Sequence, residues 1–155
     1  MATMSPQRQT ALHLVAAFNT MDIDLILSLR TPNATRIIVP TTLNISPQNN
    51  DQYRTHLENL KPIFSNFSLA TEDVLEDREA KRICMRLKAR ADTLAGEYVN
   101  EYMWTLDFEE VEGEGWKVSK STEFVDTVMN RDFWPKLREA MRAQREGKQQ
   151  QQQQQ

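Results

Sequence analysis

The sequence predicts an α+β protein in which a curved antiparallel sheet wraps around N-terminal helices and encloses a central pocket. Helical spacing of apolar residues dominates the first part of the chain. Two-residue alternation then covers 82–91, and two aromatic-rich extended runs at 98–108 and 115–126 flank an acidic connector. Helices followed by long paired strands are typical of an α+β cone, because helices must cover the apolar face of the sheet.

Length and composition limit the classes of protein that the chain can belong to. Its 155 residues suffice for one domain with a core and a cavity, which we assign to 1–147, and the glutamine-rich segment 148–155 is expected to be a disordered tail. A formal net charge of −3 argues against nucleic acid as a partner. One cysteine and two histidines form no metal-binding pattern. Without a secretory signal or a long apolar run, we expect a soluble cytoplasmic protein with no membrane partner.

Two short helices are predicted at the N-terminal end. Ser5 and Pro6 indicate the start of the first helix, and Asp22 or Asp24 caps the second. His13 lies at the edge of the apolar face of the first helix and is expected at the surface. That face is predicted to consist of Ala11, Leu12, Val15, Ala16 and Phe18.

A short strand at 35–39 follows a predicted turn at 31–33 and stops at Pro40. Arg36 and Ile38 share one face of this strand because side chains alternate. If that face is interior, the guanidinium must be ion-paired or line a polar pocket, since an unpaired buried charge is very costly. Arg36 is therefore a candidate site residue.

The next predicted helix carries the more informative histidine. His56 belongs to an apolar stripe, whereas periodicity places Glu58 on the solvent side of the helix. Packing alone would explain a histidine in such a stripe, and a role in a site would explain it as well. The stripe also contains Tyr53, Leu57, Leu60 and Phe64.

The middle of the chain is predicted to be β-structure. Short strands at 67–70 and 74–75 precede an acidic turn and then the clearest alternation in the sequence. The opposite face of this strand is basic, which a solvated face near acidic turns explains. Its core face is predicted to consist of Ile83, Met85, Leu87, Ala89 and Ala91.

The final hairpin ends in two carboxylates, Glu123 and Asp126. Apolar alternation breaks after Val118 and returns at Phe124, which predicts a bulge or bend within 119–122. Such a break lets Glu123 turn inward while Asp126 closes the strand. A helical stretch is expected after Asp126.

Four short motifs, taken in their order and spacing, resemble the SnoaL-like branch of the NTF2-like superfamily. They are LRTPN at 29–33 with Arg36 and Pro40, His56-Leu57 with Leu60, NEYM at 100–103 and EFVD at 123–126. The chain is most similar to small fungal SnoaL-like proteins of natural-product pathways, among them isomerases that rearrange rings in meroterpenoids. The resemblance implies an NTF2-like cone, a homodimer formed through the outer face of the sheet, and no metal or redox cofactor.

The same resemblance implies roles for individual residues. In SnoaL cyclases an acidic side chain on the last strand removes a proton next to a carbonyl, and Glu123 matches that position, with Glu in place of Asp. Asp126 matches an acidic position with a structural role. Arg36 and His56 are expected to polarise substrate oxygen atoms. Glu58 would be a second proton carrier if its helix packs over the pocket mouth, which periodicity opposes.

These observations predict a cofactor-free isomerase that rearranges a polycyclic meroterpenoid by acid/base chemistry. The catalytic candidates are Glu123, Arg36, Glu58 and His56. A polyketide cyclase or dehydratase of the same fold is an alternative, although the dehydratase uses a histidine pair and His13 is poorly placed for one. A non-catalytic NTF2-like binding module is the other, because one fold hosts enzymes and binders alike.

Overall fold

The chain begins with helices and continues into a run of four consecutive strands, which is the element order of an α+β fold. The computed structural model describes residues 3–154, with a short 3-10 turn at Thr41–Leu43. The elements of this part of the chain are α1 (Pro6–Asn19), α2 (Ile23–Ser28), β1 (Arg30–Val39), α3 (Asn50–Leu60), β2 (Ser65–Asp77), β3 (Arg82–Thr93), β4 (Gly96–Val111), β5 (Gly115–Val125) and α4 (Thr127–Gln153). The predicted fold class is confirmed.

The five strands form one open, curved sheet in the order β1-β5-β4-β3-β2. Strands β2 to β5 are antiparallel neighbours, but β1 pairs with β5 in parallel. The sheet is therefore mixed, whereas the sequence predicted an antiparallel one. The difference arises because α3 carries the chain from β1 at one edge to β2 at the other. Three successive reversals then bring β5 back beside β1 in the same direction.

Side-chain caps start the first two helices where the sequence predicts, and a side-chain cap also starts the third. The Ser5 hydroxyl accepts from the backbone N–H of Arg8 at 3.0 Å, and the Asp22 carboxylate accepts from that of Leu25 at 3.0 Å. Asn49 forms a reciprocal capping box with Gln52 at the start of α3. The buried face of α1 differs in part from the prediction, because this helix contacts α2, β2, β3 and β5 together. It consists of Ala11, Leu14, Val15, Ala17 and Phe18, and His13 is exposed.

Strands β1 and β2 are longer than the sequence indicated. The predicted turn at 31–33 is wrong, because β1 already begins at Arg30 and continues through an irregularity in its register before Thr35. Pro32 is tolerated there because β1 is an edge strand. Strand β2 is likewise continuous, with a register shift between Thr71 and Asp73.

The inner face of the sheet and the helices that cover it form one hydrophobic core. The predicted alternation of β3 is confirmed, since its five core-face residues are all buried. The core clusters these side chains with α1, α3 and the inner face of β4. Its largest fully buried members are Ile26, Leu57, Ile83, Met85, Leu87, Leu106, Val118 and Leu137.

The C-terminal segment is helical where a disordered tail was expected. Helix α4 continues through the glutamine tract to Gln153, while Gln155 lies outside the described residues. Glutamine favours helix, and adding residues to an existing helix needs no new nucleation, so the tract extends α4 even though its side chains are exposed. Within the described part of the chain, no helix combines the length and apolarity needed to span a membrane.

Candidate active site

A bulge in β5 decides which of its side chains face the interior. Phe108 pairs with Val118, but Asp107 pairs with Lys120, so Ser119 is the extra residue of β5. The bulge predicted within 119–122 is therefore confirmed. Because side chains alternate, one extra residue reverses the phase of the rest of the strand. Glu123 consequently points inward and is 3% exposed, whereas Phe124 points outward.

Arg36 reaches Glu123 from the neighbouring strand. In the parallel register of β1 and β5, Ile38 lies beside Glu123, and Arg36 lies two residues earlier on the same inner face. The Arg36 Nε donates to Oε1 of Glu123 at 3.1 Å, and Nη2 donates to Oε2 at 2.6 Å. Nη1 donates to the Gln48 side chain at 2.8 Å. The two candidates therefore form a buried, bidentate ion pair in which a rigid guanidinium fixes the carboxylate.

Two arginine side chains lie over the aromatic ring of Tyr53. The guanidinium carbon of Arg36 lies 4.6 Å from the centre of the Tyr53 ring, and that of Arg30 lies 5.0 Å from it. Arg30 donates to Asn50 at 2.9 Å and to Ser121 at 3.0 Å. Burial raises the pKa of Tyr53 to about 12. The phenol therefore stays protonated at neutral pH.

The protein interior here carries an excess of positive charge. Burial by itself would lower the pKa of Arg36, but the charge and hydrogen bonds of Glu123, together with Tyr53 and Tyr102, outweigh burial and raise this pKa. Burial lowers the pKa of Arg30, although an arginine remains charged at neutral pH. Two buried guanidinium groups thus surround one carboxylate, and Nη2 of Arg30 has no hydrogen-bond partner within residues 3–154.

His56 lies at the wall of the same cavity, half-buried and stacked against Tyr53 with ring centres 6.4 Å apart. Burial lowers the pKa of His56 to about 4, and the nearby Arg36 charge acts in the same direction. The imidazole is therefore neutral at physiological pH, with one N–H donor and one acceptor nitrogen. The interior position predicted for His56 is confirmed.

Glu58 is not part of this site. Its side chain is 57% exposed and lies 4.0 Å from Arg54 on the outer side of α3. Periodicity placed it correctly, and the pocket-mouth position suggested by the resemblance is wrong, because only the opposite side of α3 faces the sheet. Asp126 has a structural role, since its carboxylate caps α4 by accepting from the Met129 N–H at 3.0 Å.

The site opens into a cavity of about 310 Å³ between α1, α3, α4 and the inner face of the sheet. A few polar groups converge in it, which is typical of a small-molecule site. Among residues 3–154, no group of three or more His, Cys, Asp or Glu side chains could hold a metal ion. Apart from the groups above, the lining includes Phe18, Met21, Ile38, Ile45, Leu57, Leu60, Phe64, Phe67, Leu69, Tyr98, Asn100, Tyr102, Trp104, Val125, Asn130 and Trp134.

The sequence interpretation did not identify three polar residues of β4 as part of the site. Tyr98 lies in the aromatic-rich run at 98–108, and Asn100 and Tyr102 belong to the NEYM motif, but the sequence predicted no site role for any of them. The Tyr98 and Tyr102 hydroxyl oxygens lie 2.7 Å apart, and Asn100 donates to Tyr98 at 3.0 Å. The available signal was Asn100 itself, because a polar residue in the inward phase of a buried strand needs a partner.

Comparison with known proteins finds relatives in fungal biosynthetic clusters. No family model matches the chain. The chain is 32% identical over 145 residues to the austinoid biosynthesis cluster protein H of Aspergillus calidoustus, covering 88% of this chain and 96% of that protein. The crystal structure of BvnE pinacolase from Penicillium brevicompactum is 28% identical, with a TM-score of 0.81 over 88% of this chain and 96% of that one.

Two further structures agree with the architecture. PrhC from Penicillium brasilianum is 26% identical, with a TM-score of 0.78 over 87% of this chain and 91% of that one. An NTF2-like protein of Burkholderia pseudomallei is 17% identical, with a TM-score of 0.67 over 81% of this chain and 94% of that one. The latter likeness concerns the fold alone.

Proposed function

We propose that the protein is a cofactor-free isomerase of secondary metabolism. The chain belongs to the SnoaL-like branch of the NTF2-like superfamily, together with the fungal austinoid-cluster proteins. Its substrate would be a polycyclic meroterpenoid intermediate. The observation that carries the proposal is the Arg36–Glu123 ion pair at the wall of an otherwise apolar cavity. A buried ion pair adds little to stability compared with an apolar pair, so its presence favours a role in chemistry.

The proposed reaction moves a proton within one molecule. Glu123 takes a proton from a carbon next to a substrate carbonyl, the electrons of the broken C–H bond form an enolate, and a proton from Glu123 is returned at another atom. No atom is gained or lost, so the net change is an isomerisation. Arg36 holds the carboxylate in one orientation, and the neutral His56 offers a hydrogen bond to a substrate oxygen.

The surplus of buried positive charge supports this chemistry. An enolate carries a negative charge that apolar surroundings would destabilise. Arg30 and Arg36 together outweigh Glu123, and once Glu123 is protonated both guanidinium groups act on the enolate. Fixed charges that face the site of developing charge lower the barrier without reorganising in the reaction.

The cavity walls favour a largely apolar, ring-shaped substrate. Aromatic and aliphatic side chains from α1, α3, α4 and four strands surround about 310 Å³. Such walls discriminate poorly between similar apolar groups, so the few polar residues must fix the orientation of the substrate. The name pinacolase of BvnE supports an intramolecular rearrangement as the type of reaction.

The test is incubation of the purified protein with intermediates of its biosynthetic pathway. We expect Glu123→Gln to lose turnover by about 100-fold or more, in line with removal of a general base, and Arg36→Ala to be impaired as well. Glu58→Gln is the matched control, because this carboxylate lies outside the cavity, and it should turn over at the wild-type rate. Full turnover by Glu123→Gln and Arg36→Ala would refute the assignment of the site.

A non-catalytic binding module remains the second candidate. The observation in its favour is that Arg36 and Glu123 satisfy each other within the protein. This function would be supported if a pathway intermediate binds tightly and is recovered unchanged from wild-type protein.

We also propose that the protein forms a homodimer through the outer face of the sheet. Met103 of β4 and Phe124 of β5 pair directly on that face, and both are substantially exposed. The half-buried Val39 lies beside Phe124 in the register of β1. A row of exposed apolar side chains on a sheet face is typical of an association surface.

A further inference from the structure

A chain of polar groups runs from the start of α4 to the cavity wall. The backbone N–H of Asp126 donates to Oδ1 of Asn100 at 3.3 Å, and Nδ2 of Asn100 donates to the Tyr98 hydroxyl at 3.0 Å. The Tyr98 and Tyr102 hydroxyl oxygens lie 2.7 Å apart. Asn100 and Tyr98 are each 3% exposed, so they are held away from bulk water. We call these three side chains, Asn100, Tyr98 and Tyr102, the tyrosine relay.

The orientation of the Asn100 amide follows from its neighbours. A flipped amide would place its NH2 group against the N–H of Asp126, so that two donors would face each other. The observed orientation avoids this clash: the oxygen of Asn100 points to the Asp126 N–H, which it shares with the Glu101 carbonyl at 3.2 Å, and the nitrogen points to Tyr98. This fixes the Tyr98 oxygen as an acceptor.

Counting the hydrogens of the relay leaves one donor over. The two phenols hold two hydroxyl hydrogens, and the contact between them uses one. If Tyr102 donated, the hydrogen of Tyr98, whose side chain is less exposed than that of Tyr102, would be left without an acceptor, which is costly. The favoured arrangement has Tyr98 donating to Tyr102. The hydrogen of Tyr102 then has no acceptor within residues 3–154, and Tyr102 lines the cavity.

The other donors near Glu123 are either paired or enclosed, since Nη2 of Arg30 and Nε1 of Trp104 have no partner within residues 3–154 but are fully buried. Three N–H groups of Arg36 are directed to Glu123 and Gln48, whereas Tyr102 keeps its only donor free. Trp104 is opposite Glu123 in the register and Val125 is opposite Tyr102, so Glu123 and Tyr102 are diagonal neighbours on one face. Diagonal neighbours are roughly 7–8 Å apart. Because both side chains line the cavity, one ligand can present a C–H group to the carboxylate and an adjacent carbonyl oxygen to the phenol.

We propose that the Tyr102 hydroxyl is a ligand-contacting hydrogen-bond donor that binds a ketone-type oxygen in the cavity, with Tyr98 and Asn100 as positioning residues. Its role in turnover, polarising the carbonyl next to which Glu123 removes a proton, rests on the proposed function. Successive donation along the relay polarises each group and strengthens the last donor. Burial, together with Tyr98, raises the pKa of Tyr102, so the hydrogen is present throughout the neutral range.

Binding of a matched pair of bicyclic probes tests the donor without turnover. The probes are 2-decalone and 2-methylenedecalin, which differ in shape only where C=CH2 replaces C=O, and quenching of the cavity tryptophans reports binding. One neutral hydrogen bond contributes about 1 kcal/mol, so wild type should prefer the ketone by about five- to ten-fold. Tyr102→Phe should favour the hydrocarbon, because the ketone oxygen leaves water without gaining a donor, and it should retain the affinity of wild type for the hydrocarbon. A wild-type protein that binds neither probe, or both equally, overturns the proposal, as does an unchanged preference in Tyr102→Phe.

The carbonyl stretching frequency of bound 2-decalone is a second measurement, which does not depend on a variant that folds. It should lie lower in wild-type protein than in an apolar solvent, and a frequency equal to that in the solvent would contradict the assigned donor. Tyr98→Phe should produce a shift between those of wild type and Tyr102→Phe, which a merely structural role would not produce. Loss of turnover assigned to Glu123 and loss of ketone preference are separate outcomes, so the proposed function and this donor can fail independently.

Discussion

The inner face of the sheet places charged side chains in an apolar cavity, and the outer face places apolar side chains in water. On the inner face, Arg36 and Glu123 are 8% and 3% exposed inside an apolar cavity. On the outer face, Met103 and Phe124 are 43% and 53% exposed. Glu123 and Phe124 are consecutive residues, so the bulge at Ser119 sets both positions. The phase of one strand therefore creates the candidate site and the exposed apolar pair at the same time.

The comparison also separates two kinds of energetic cost. On the inner face the protein removes two charges from water, which is unfavourable unless each compensates the other. On the outer face it leaves apolar area in water, which costs little for one residue and becomes significant for a contiguous patch. The inner arrangement should thus be sensitive to single substitutions, and the outer one should depend on association.

Separating the inner ion pair should produce the largest effect. Arg36→Met leaves the Glu123 carboxylate buried without its cation, and we expect the free energy of unfolding to fall by about 3–5 kcal/mol. The double variant Arg36→Met/Glu123→Met removes both charges and should recover most of that loss. Urea unfolding of the three proteins measures the difference.

An exposed ion pair on the same sheet provides the matched control. Arg82 and Asp107 lie 2.6 Å apart, but the Arg82 side chain is 49% exposed. Arg82→Met should therefore cost no more than about 1 kcal/mol. Equal losses from Arg36→Met and Arg82→Met would contradict the distinction between the buried and the exposed pair.

The neutral state of His56 predicts an intermediate effect that depends on pH. Its pKa is about 4 in the folded protein and 6.5 in its ordinary state. Between these values the unfolded chain binds more protons than the folded one, so stability rises with pH across this window and is lost as pH falls. His56→Gln should reduce the difference in unfolding free energy between pH 7 and pH 4.5 by an amount on the order of 2 kcal/mol.

The exposed His13 supplies the control for this measurement. His13→Gln should leave the pH dependence of stability close to that of wild type, since it lies outside the cavity. An NMR titration in which His56 takes up its proton near pH 6.5 would show that the imidazole is not held neutral by its surroundings.

Alternation along single strands and helices made much of the inner face predictable. It predicted that Arg36 and Ile38 share one face of β1. The broken pattern after Val118 predicted the bulge that turns Glu123 inward. The stripe that contains His56 identified the side of α3 that faces the cavity. These features are local, because they depend on the phase of one element at a time.

Features that join distant parts of the chain were not predictable in the same way. The parallel pairing of β1 with β5 depends on the path between the two edges of the sheet, which no short pattern encodes. The tyrosine relay depends on the contact of Asn100 with the backbone of Asp126, which is remote in sequence. Glu58 shows the reverse case, because the local periodicity was right and the analogy with a family was wrong.

A substitution on the outer face should change the stability of the single protomer least and should clearly change its association. Phe124→Lys replaces an exposed apolar ring by a charge, so we expect the free energy of unfolding of the monomer to change by no more than about 0.5 kcal/mol. A homodimer joined through Met103 and Phe124 would have to bury that charge, and light scattering should then report a monomer.

Leu94→Lys is the control, because Leu94 is 55% exposed in the loop between β3 and β4, and this variant should remain dimeric. A wild-type protein that is a monomer at the same concentration would refute the proposed homodimer.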